Sequence, residues 1–166
     1  MKFLALDPSG NFYEGKGVTG WALYSEDKPK SVGQIRSIEH TTQLNYWQDH
    51  LNLIKILQPE LVIIEEYKLY AHTAKAQIGS EFETSQLIGI IKYYCHNNNI
   101  PIILQSAKIK VRYTNDILVH KSIITIDTKK NYYILGIQTT NHILDAIRHA
   151  EYYINFTRKK EPYEDL

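Results

Sequence analysis

Three carboxylates stand where an apolar framework would not place them. Asp7 follows the run Phe3-Leu4-Ala5-Leu6, and Glu65 follows Leu61-Val62-Ile63-Ile64. Asp145 interrupts the apolar face of a C-terminal helical pattern. His142 lies three residues before Asp145 and His149 four residues after it, spacings that place helical side chains on one stripe. Buried carboxylates are costly unless paired or bound to a cation. Acids from two strand ends and a covering helix repel one another, and a divalent cation removes that repulsion. Oxygen donors with one imidazole suit Mg2+ or Mn2+. Two such ions can clamp the attacking and leaving oxygens of a phosphodiester. Each acid also has a plainer reading. Asp7 before Pro8-Ser9-Gly10 is a good turn residue, Glu65-Glu66 suits the start of a solvated loop, and Asp145 with His149 suits a surface pair. Taken together, the three favour a shared site.

The elements that must position these groups follow from periodicity. Lys2 to Leu6 reads as a buried strand, broken by Asp7-Pro8-Ser9-Gly10. Thr19 to Tyr24 and Ser31 to Ser37 extend it into an antiparallel meander. His40 to Leu57 is expected to be helical, with Leu44, Trp47, Leu51 and Ile54 inward, a start at Thr41 or Thr42 and an end at Gln58-Pro59. The continuous apolar run Leu61 to Ile64 suits a strand buried on both faces. Thr84 to His96 reads as a second amphipathic helix, and Ile100 to Leu104 as another strand. Asn141 to Phe156 closes the chain as a helix with Ile143, Ala146, Ile147, Ala150 and Ile154 inward. The segment 106–139 is the least periodic. Thr114-Asn115-Asp116 suits the cap of a short helix through Lys121, and Ile123 to Asp127 and Tyr132 to Ile137 have β character. The alternation of strands and helices favours an α/β fold with a mixed sheet.

Composition sets bounds on this reading. The chain has 166 residues, 43% hydrophobic and 22% charged, which are ordinary globular values. One domain over 1–166 is expected. A single cysteine, Cys95, offers no intramolecular disulfide. No apolar run approaches the ~20 residues of a membrane span, and the N-terminal apolar stretch is shorter than a signal-peptide core, so a cytoplasmic location is expected. Net charge is only +1, yet six Lys or Arg residues oppose two acids between Ser106 and Leu135. That imbalance points weakly to a polyanion.

The stretches FLALDPSG, GVTGWAL, LVIIEEYKLY, KAQIGSEFETSQLIGIIKYY and NHILDAIRHAEYY resemble the RuvC-like Holliday junction resolvases of the RNase H-like superfamily, in particular the short versions typical of bacteriophages. The resemblance spans most of the chain outside about 106–138. It implies a five-stranded mixed sheet flanked by helices. It also implies a Mg2+-dependent endonuclease, usually a homodimer, that nicks four-way DNA junctions symmetrically by two-metal hydrolysis, with Mn2+ as a possible substitute. Carried over residue by residue, Asp7, Glu65, Asp145 and His142 take the catalytic, metal-binding positions. Some family members carry aspartate where His142 stands. Glu66 is the lesser choice, because strand alternation turns it the other way, and His149 is placed outside the direct ligands.

The family's junction-contacting stretch corresponds to a segment holding Lys68, Tyr70, His72, Lys75 and Gln77, where lysine and tyrosine interleave as phosphate contact and base stacking require. Lys108, Lys110, Arg112 and Lys121 form a second candidate contact set. Acid clusters do not encode substrate shape. A flap- or fork-cleaving nuclease, a relative acting on RNA and a catalytically silent DNA-binding module therefore remain open alternatives at this stage.

Overall fold

The computed structural model describes residues 1–68 and 82–158. β1 (Lys2–Asp7) runs through the centre of the molecule, and Phe3, Leu4, Ala5 and Leu6 are all fully buried. Burial on both sides explains why its sequence shows no polar alternation. β1 pairs antiparallel with β2 (Val18–Ser25), which turns through Glu26 and Asp27 into β3 (Lys28–Arg36). Both turn residues have positive φ, 53° and 63°, as a two-residue hairpin turn demands. On its other side β1 pairs in parallel with β4 (Leu61–Glu65), and β4 pairs in parallel with β5 (Ile102–Gln105). The sheet order is β3-β2-β1-β4-β5.

Period-two alternation divides the core. Leu4, Leu6, Val62 and Ile64 face α1 (Gln43–Leu57) and α2 (Glu83–Asn97), meeting Tyr46, Trp47, Ile54, Leu87, Ile91 and Cys95. Phe3, Ala5, Ala22 and Ile63 face the opposite way, toward the last helix. The expected mixed sheet covered by helices is therefore the architecture found.

α1 starts where Thr42 accepts a hydrogen bond from the Asn45 N–H at 3.1 Å, and ends at Gln58 in a left-handed conformation before Pro59. Its inward face differs from expectation. Leu44 is 69% exposed, while Tyr46 and His50 are buried beside Trp47 and Ile54. His50 is admitted to the interior because both ring nitrogens find partners, Thr19 Oγ1 at 2.7 Å and the Tyr46 carbonyl at 2.9 Å.

The segment after β5 is ordered. A 3-10 turn (Ala107–Arg112) leads to α3 (Asn115–His120), capped by Thr114 as its sequence suggested. β6 (Thr125–Ile126), β7 (Tyr132–Ile134) and β8 (Ile137–Gln138) then form a small antiparallel sheet. Tyr113, Leu118, Ile124 and Ile134 anchor this segment into the second core.

The last helix, α4 (Asn141–Tyr152), lies along β2 and β1 on Ile143, Leu144, Ala146, Ile147 and Ala150. It is capped by Thr140 and continues as a π-helical turn, Tyr153–Thr157, in place of the α-helix expected through Phe156. The wider turn keeps Tyr153 buried, its ring edge-on to Phe3 at 5.1 Å.

At the far end of α4, Glu151 is buried and accepts a hydrogen bond from Tyr24 Oη at 3.0 Å. Burial holds its carboxyl above the usual range despite that bond. The folded value lies above the 4.5 of the unfolded group. This group therefore adds stability fully below that pH and loses it as pH rises through the folded value. Glu151→Gln keeps an acceptor for Tyr24 and carries no charge to bury. At neutral pH it is expected to melt higher than wild type, by roughly 2 °C, with the gap closing in acid. A lower melting temperature at neutral pH would contradict this.

Candidate active site

β1 and β4 run in parallel with Leu6 beside Ile64, so Asp7 and Glu65 leave the sheet at the same edge. Alternation sends both toward α4, along with Ala5 and Ile63. Glu66 turns elsewhere and pairs with Lys68 at 2.7 Å. The first turns of α4 bring His142 and Asp145 over the same edge. His142 Nδ1 lies 3.5 Å from Asp7 Oδ2. The structure thus brings Asp7, Glu65, His142 and Asp145 to one edge of the sheet, where His142 meets Asp7 rather than its helical neighbour Asp145.

The close approach of α4 depends on Gly20. It faces Asp7 across the β1–β2 ladder, and a Cβ there would collide with the His142 carbonyl. The loop after Asp7 is held from the other side of the sheet. Tyr46 Oη donates to the Ser9 carbonyl at 2.5 Å, and Trp47 Nε1 to the Gly10 carbonyl at 3.3 Å. Thr19 Oγ1 and Thr84 Oγ1 accept from the Ser9 and Gly10 N–H groups, each at 3.1 Å. In the sequence, Pro8-Ser9-Gly10 after the candidate ligand Asp7 reads as a turn that breaks the strand. Its anchors lie on three other elements, and no local spacing announces them.

Two further cations enter the cluster. Lys110 Nζ sits 2.9 Å from Glu65 Oε2 and 3.0 Å from Asp145 Oδ2. Arg148 Nη1 pairs with Asp145 Oδ1 at 2.5 Å, while its Nε donates to the Tyr113 carbonyl at 2.7 Å and its Nη2 to Asn115. The Asp145/Arg148 spacing of three residues was a readable signal for the second contact. Lys110 carried no such mark. Expected among outward phosphate contacts, it is turned inward by the 3-10 turn, while Lys108 and Arg112 on the same turn stay exposed. The Arg112 guanidinium lies over the Phe156 ring at 5.3 Å and Lys121 Nζ over Tyr113 at 5.7 Å. Lys68 is exposed beside the cluster. Tyr70, His72, Lys75 and Gln77 lie outside the described residues.

The electrostatics separate the acids. Burial pushes the Asp7 carboxyl above its usual range, and the Glu65 and Asp145 charges push the same way against His142 and Lys110. Burial would raise Glu65 too, but hydrogen bonds from His149 and Lys110 outweigh it and hold Glu65 low. Contacts to Glu65 and Asp145 outweigh burial at Lys110 and hold its ammonium charged. His142 is raised by its hydrogen bond to Asp7. Asp7 is thus held above its usual range while Glu65 is held below it.

Among the described residues, no three His, Cys, Asp or Glu side chains converge as a ligand group. Lys110 provides positive charge between Glu65 and Asp145 instead. The donor set still fits a hard divalent cation, because three carboxylates and an imidazole share one edge and Asp7 lacks a full counter-charge.

Neither a protein-family model nor a curated protein matches the chain. Solved structures do. Thermus thermophilus RuvC in complex with a Holliday junction substrate superposes with a TM-score of 0.66 at 14% identity, covering 96% of each chain. A second Thermus thermophilus RuvC structure gives 0.63 at 12% identity, with the same coverage. The fold is that of RuvC. Five strands in mixed order, flanked by helices, place the Asp7–Glu65 edge beneath α4 in this RuvC-like, RNase H-like framework. No helix among the described residues is long and apolar enough to cross a membrane.

Proposed function

We propose that this chain is a metal-dependent endonuclease that cuts branched DNA, with the four-way junction as its preferred substrate. The observation that carries the reading is the convergence of Asp7 and Glu65 from parallel strand ends onto His142 and Asp145 of α4, on a RuvC fold. Asp7, Glu65, Asp145 and His142 would hold two Mg2+ ions, with Mn2+ able to substitute. Bound there, these cations supply Lewis-acid activation of the attacking water and neutralise charge at the leaving oxygen.

The remaining side chains position and hold. His142 is about half exposed at the rim and meets Asp7 on one side, leaving its other face toward the scissile phosphate. Arg148 fixes the Asp145 carboxylate from behind. Lys68, Lys108 and Arg112 lie at the surface where backbone phosphates would approach. Tyr70 and Lys75 extend that contact in sequence. A homodimer presents two such sites to the two symmetric strands of a junction.

Lys110 has a double part in this reading. It compensates Glu65 and Asp145 without metal and yields to a cation when one arrives. Lys110→Met is therefore expected to bind divalent cations about tenfold more tightly than wild type. The rise in melting temperature on adding Mn2+ should then exceed the wild-type rise by roughly 3–5 °C. An equal or smaller rise would show that Lys110 does not compete for the cation position.

Cleavage of labelled four-way junction, flap, fork, linear duplex and RNA–DNA hybrid, in Mg2+ and in Mn2+, tests the substrate. Faster cutting of the junction supports the proposal. Preference for flaps, forks or hybrid would keep the site and replace the substrate. Tight junction binding without cutting would favour a silent binding module.

A further inference from the structure

His149 is the group in this region that neither the ligand set nor the DNA contacts use. It is completely buried. Its Nε2 lies 2.8 Å from Glu65 Oε2, and its Nδ1 lies 2.8 Å from the side-chain amide of Gln105, itself only 5% exposed. Three elements meet there, because Glu65 ends β4, Gln105 stands beside it in register on β5, and His149 descends from α4.

For a neutral ring, hydrogen bookkeeping gives the directions. An ionised carboxylate can only accept, so Nε2 must carry the hydrogen and donate it to Glu65. A neutral ring then presents Nδ1 as an acceptor. Gln105 Nε2 is a buried donor with no partner when Oε1 faces the ring. A half-turn of the amide about its last bond gives that donor the bare Nδ1 as partner. Every donor in the line then finds an acceptor. The direction of donation runs from Gln105 to His149 to Glu65.

From this we infer that Gln105 and His149 form a positioning relay that holds Glu65 in its cation-binding orientation. The relay rests on the proposed role of Glu65 as a metal-binding carboxylate. Neither Gln105 nor His149 touches the reacting atoms. His149 and Lys110 both hold Oε2, at 2.8 and 2.9 Å, and Oε1 lies 3.3 Å from the same Nζ, which carries only the looser of the two contacts. Partners of this kind orient a ligating group, and their loss costs about 10–100-fold in metal affinity in comparable sites. An apolar residue at 149 would pack as well against the sheet but would free the Glu65 carboxylate to turn.

The test uses the full-length protein and two readouts besides cleavage. The first is the nitrogen–proton coupling pattern of the His149 ring in the 15N-labelled, metal-free protein. The expected pattern is hydrogen on Nε2 with slow exchange, and none on Nδ1. A ring carrying hydrogen on Nδ1 overturns the relay. The second is Mn2+ affinity measured by calorimetry without DNA. His149→Leu should bind about tenfold more weakly, and His149→Gln, whose amide N–H can reach the Nε2 position, should return to within about threefold of wild type. Unchanged affinity in a folded His149→Leu also overturns the relay, as does failure of His149→Gln to recover any affinity. A wild-type protein that binds no divalent cation would defeat the proposed function, and the ring spectrum would still decide the hydrogen-bond direction.

Discussion

Asp7→Asn is expected to abolish strand cleavage and, at the same time, to raise the melting temperature. Asp7 is an acid whose environment opposes its charge. Its side chain is 14% exposed, burial lifts its carboxyl above the usual range, and Glu65 and Asp145 add repulsion. The folded value lies above the unfolded 3.8, so the group contributes stability fully below that pH and loses it as pH rises through the folded value. Asparagine keeps the shape and removes the charge. His142 partly rewards the aspartate while the imidazole is protonated, so the comparison is cleanest above the imidazole range. There the gain should be on the order of 1 kcal/mol, or about 2–4 °C for a chain of this size. Loss of one carboxylate from a two-cation centre should cost at least about a thousandfold in rate. Stability spent at a site in return for chemistry has this signature. A variant that still cuts, or that melts lower than wild type under these conditions, would place the reacting centre elsewhere.

Gly20→Ala should produce the opposite pairing, with both stability and cleavage lost. Gly20 lies beside Asp7 on the neighbouring strand, and the backbone of His142 and Ile143 rests where its Cβ would be. Both obstacles are main chain, so no side-chain rotation relieves the contact. The first turn of α4 must move outward, carrying His142 with it and displacing Asp145 from the sheet edge. Overpacking of this kind costs about 1–3 kcal/mol, and a misplacement near 1 Å costs roughly a hundredfold in rate. Gly89 supplies the control. It is an exposed position within α2 with open space around its Cβ position. Gly89→Ala should stabilise by up to about 1 kcal/mol through helix propensity and leave cleavage unchanged. A Gly20→Ala protein with wild-type cleavage would show that α4 need not touch β2 for the site to form.

The parts of this molecule legible in its sequence are those where burial alone dictates residue type. β1 and β4 are unbroken apolar runs because helices cover both faces of the sheet, and Asp7 and Glu65 stand out because they end such runs. Asp145 is visible for the same reason on α4. Where a polar group enters the interior with a partner from a distant element, the sequence is mute. His50 cannot be placed in the core without knowing that Thr19 meets it, and the apolar spacing points Leu44 inward instead. Lys110 is separated by single residues from two exposed basic residues, and only the 3-10 turn decides that it alone reaches the acids. The strands of the small sheet span two or three residues each, too few to show a period.

Mapping the nicks on a four-way junction labelled in each strand, with Mg2+ and wild-type protein, tests the proposed activity most directly. Paired nicks at symmetric positions in two opposed strands, absent with Asp7→Asn, are the expected result. An intact junction in both Mg2+ and Mn2+, from protein that binds the junction and is fully folded, would contradict it.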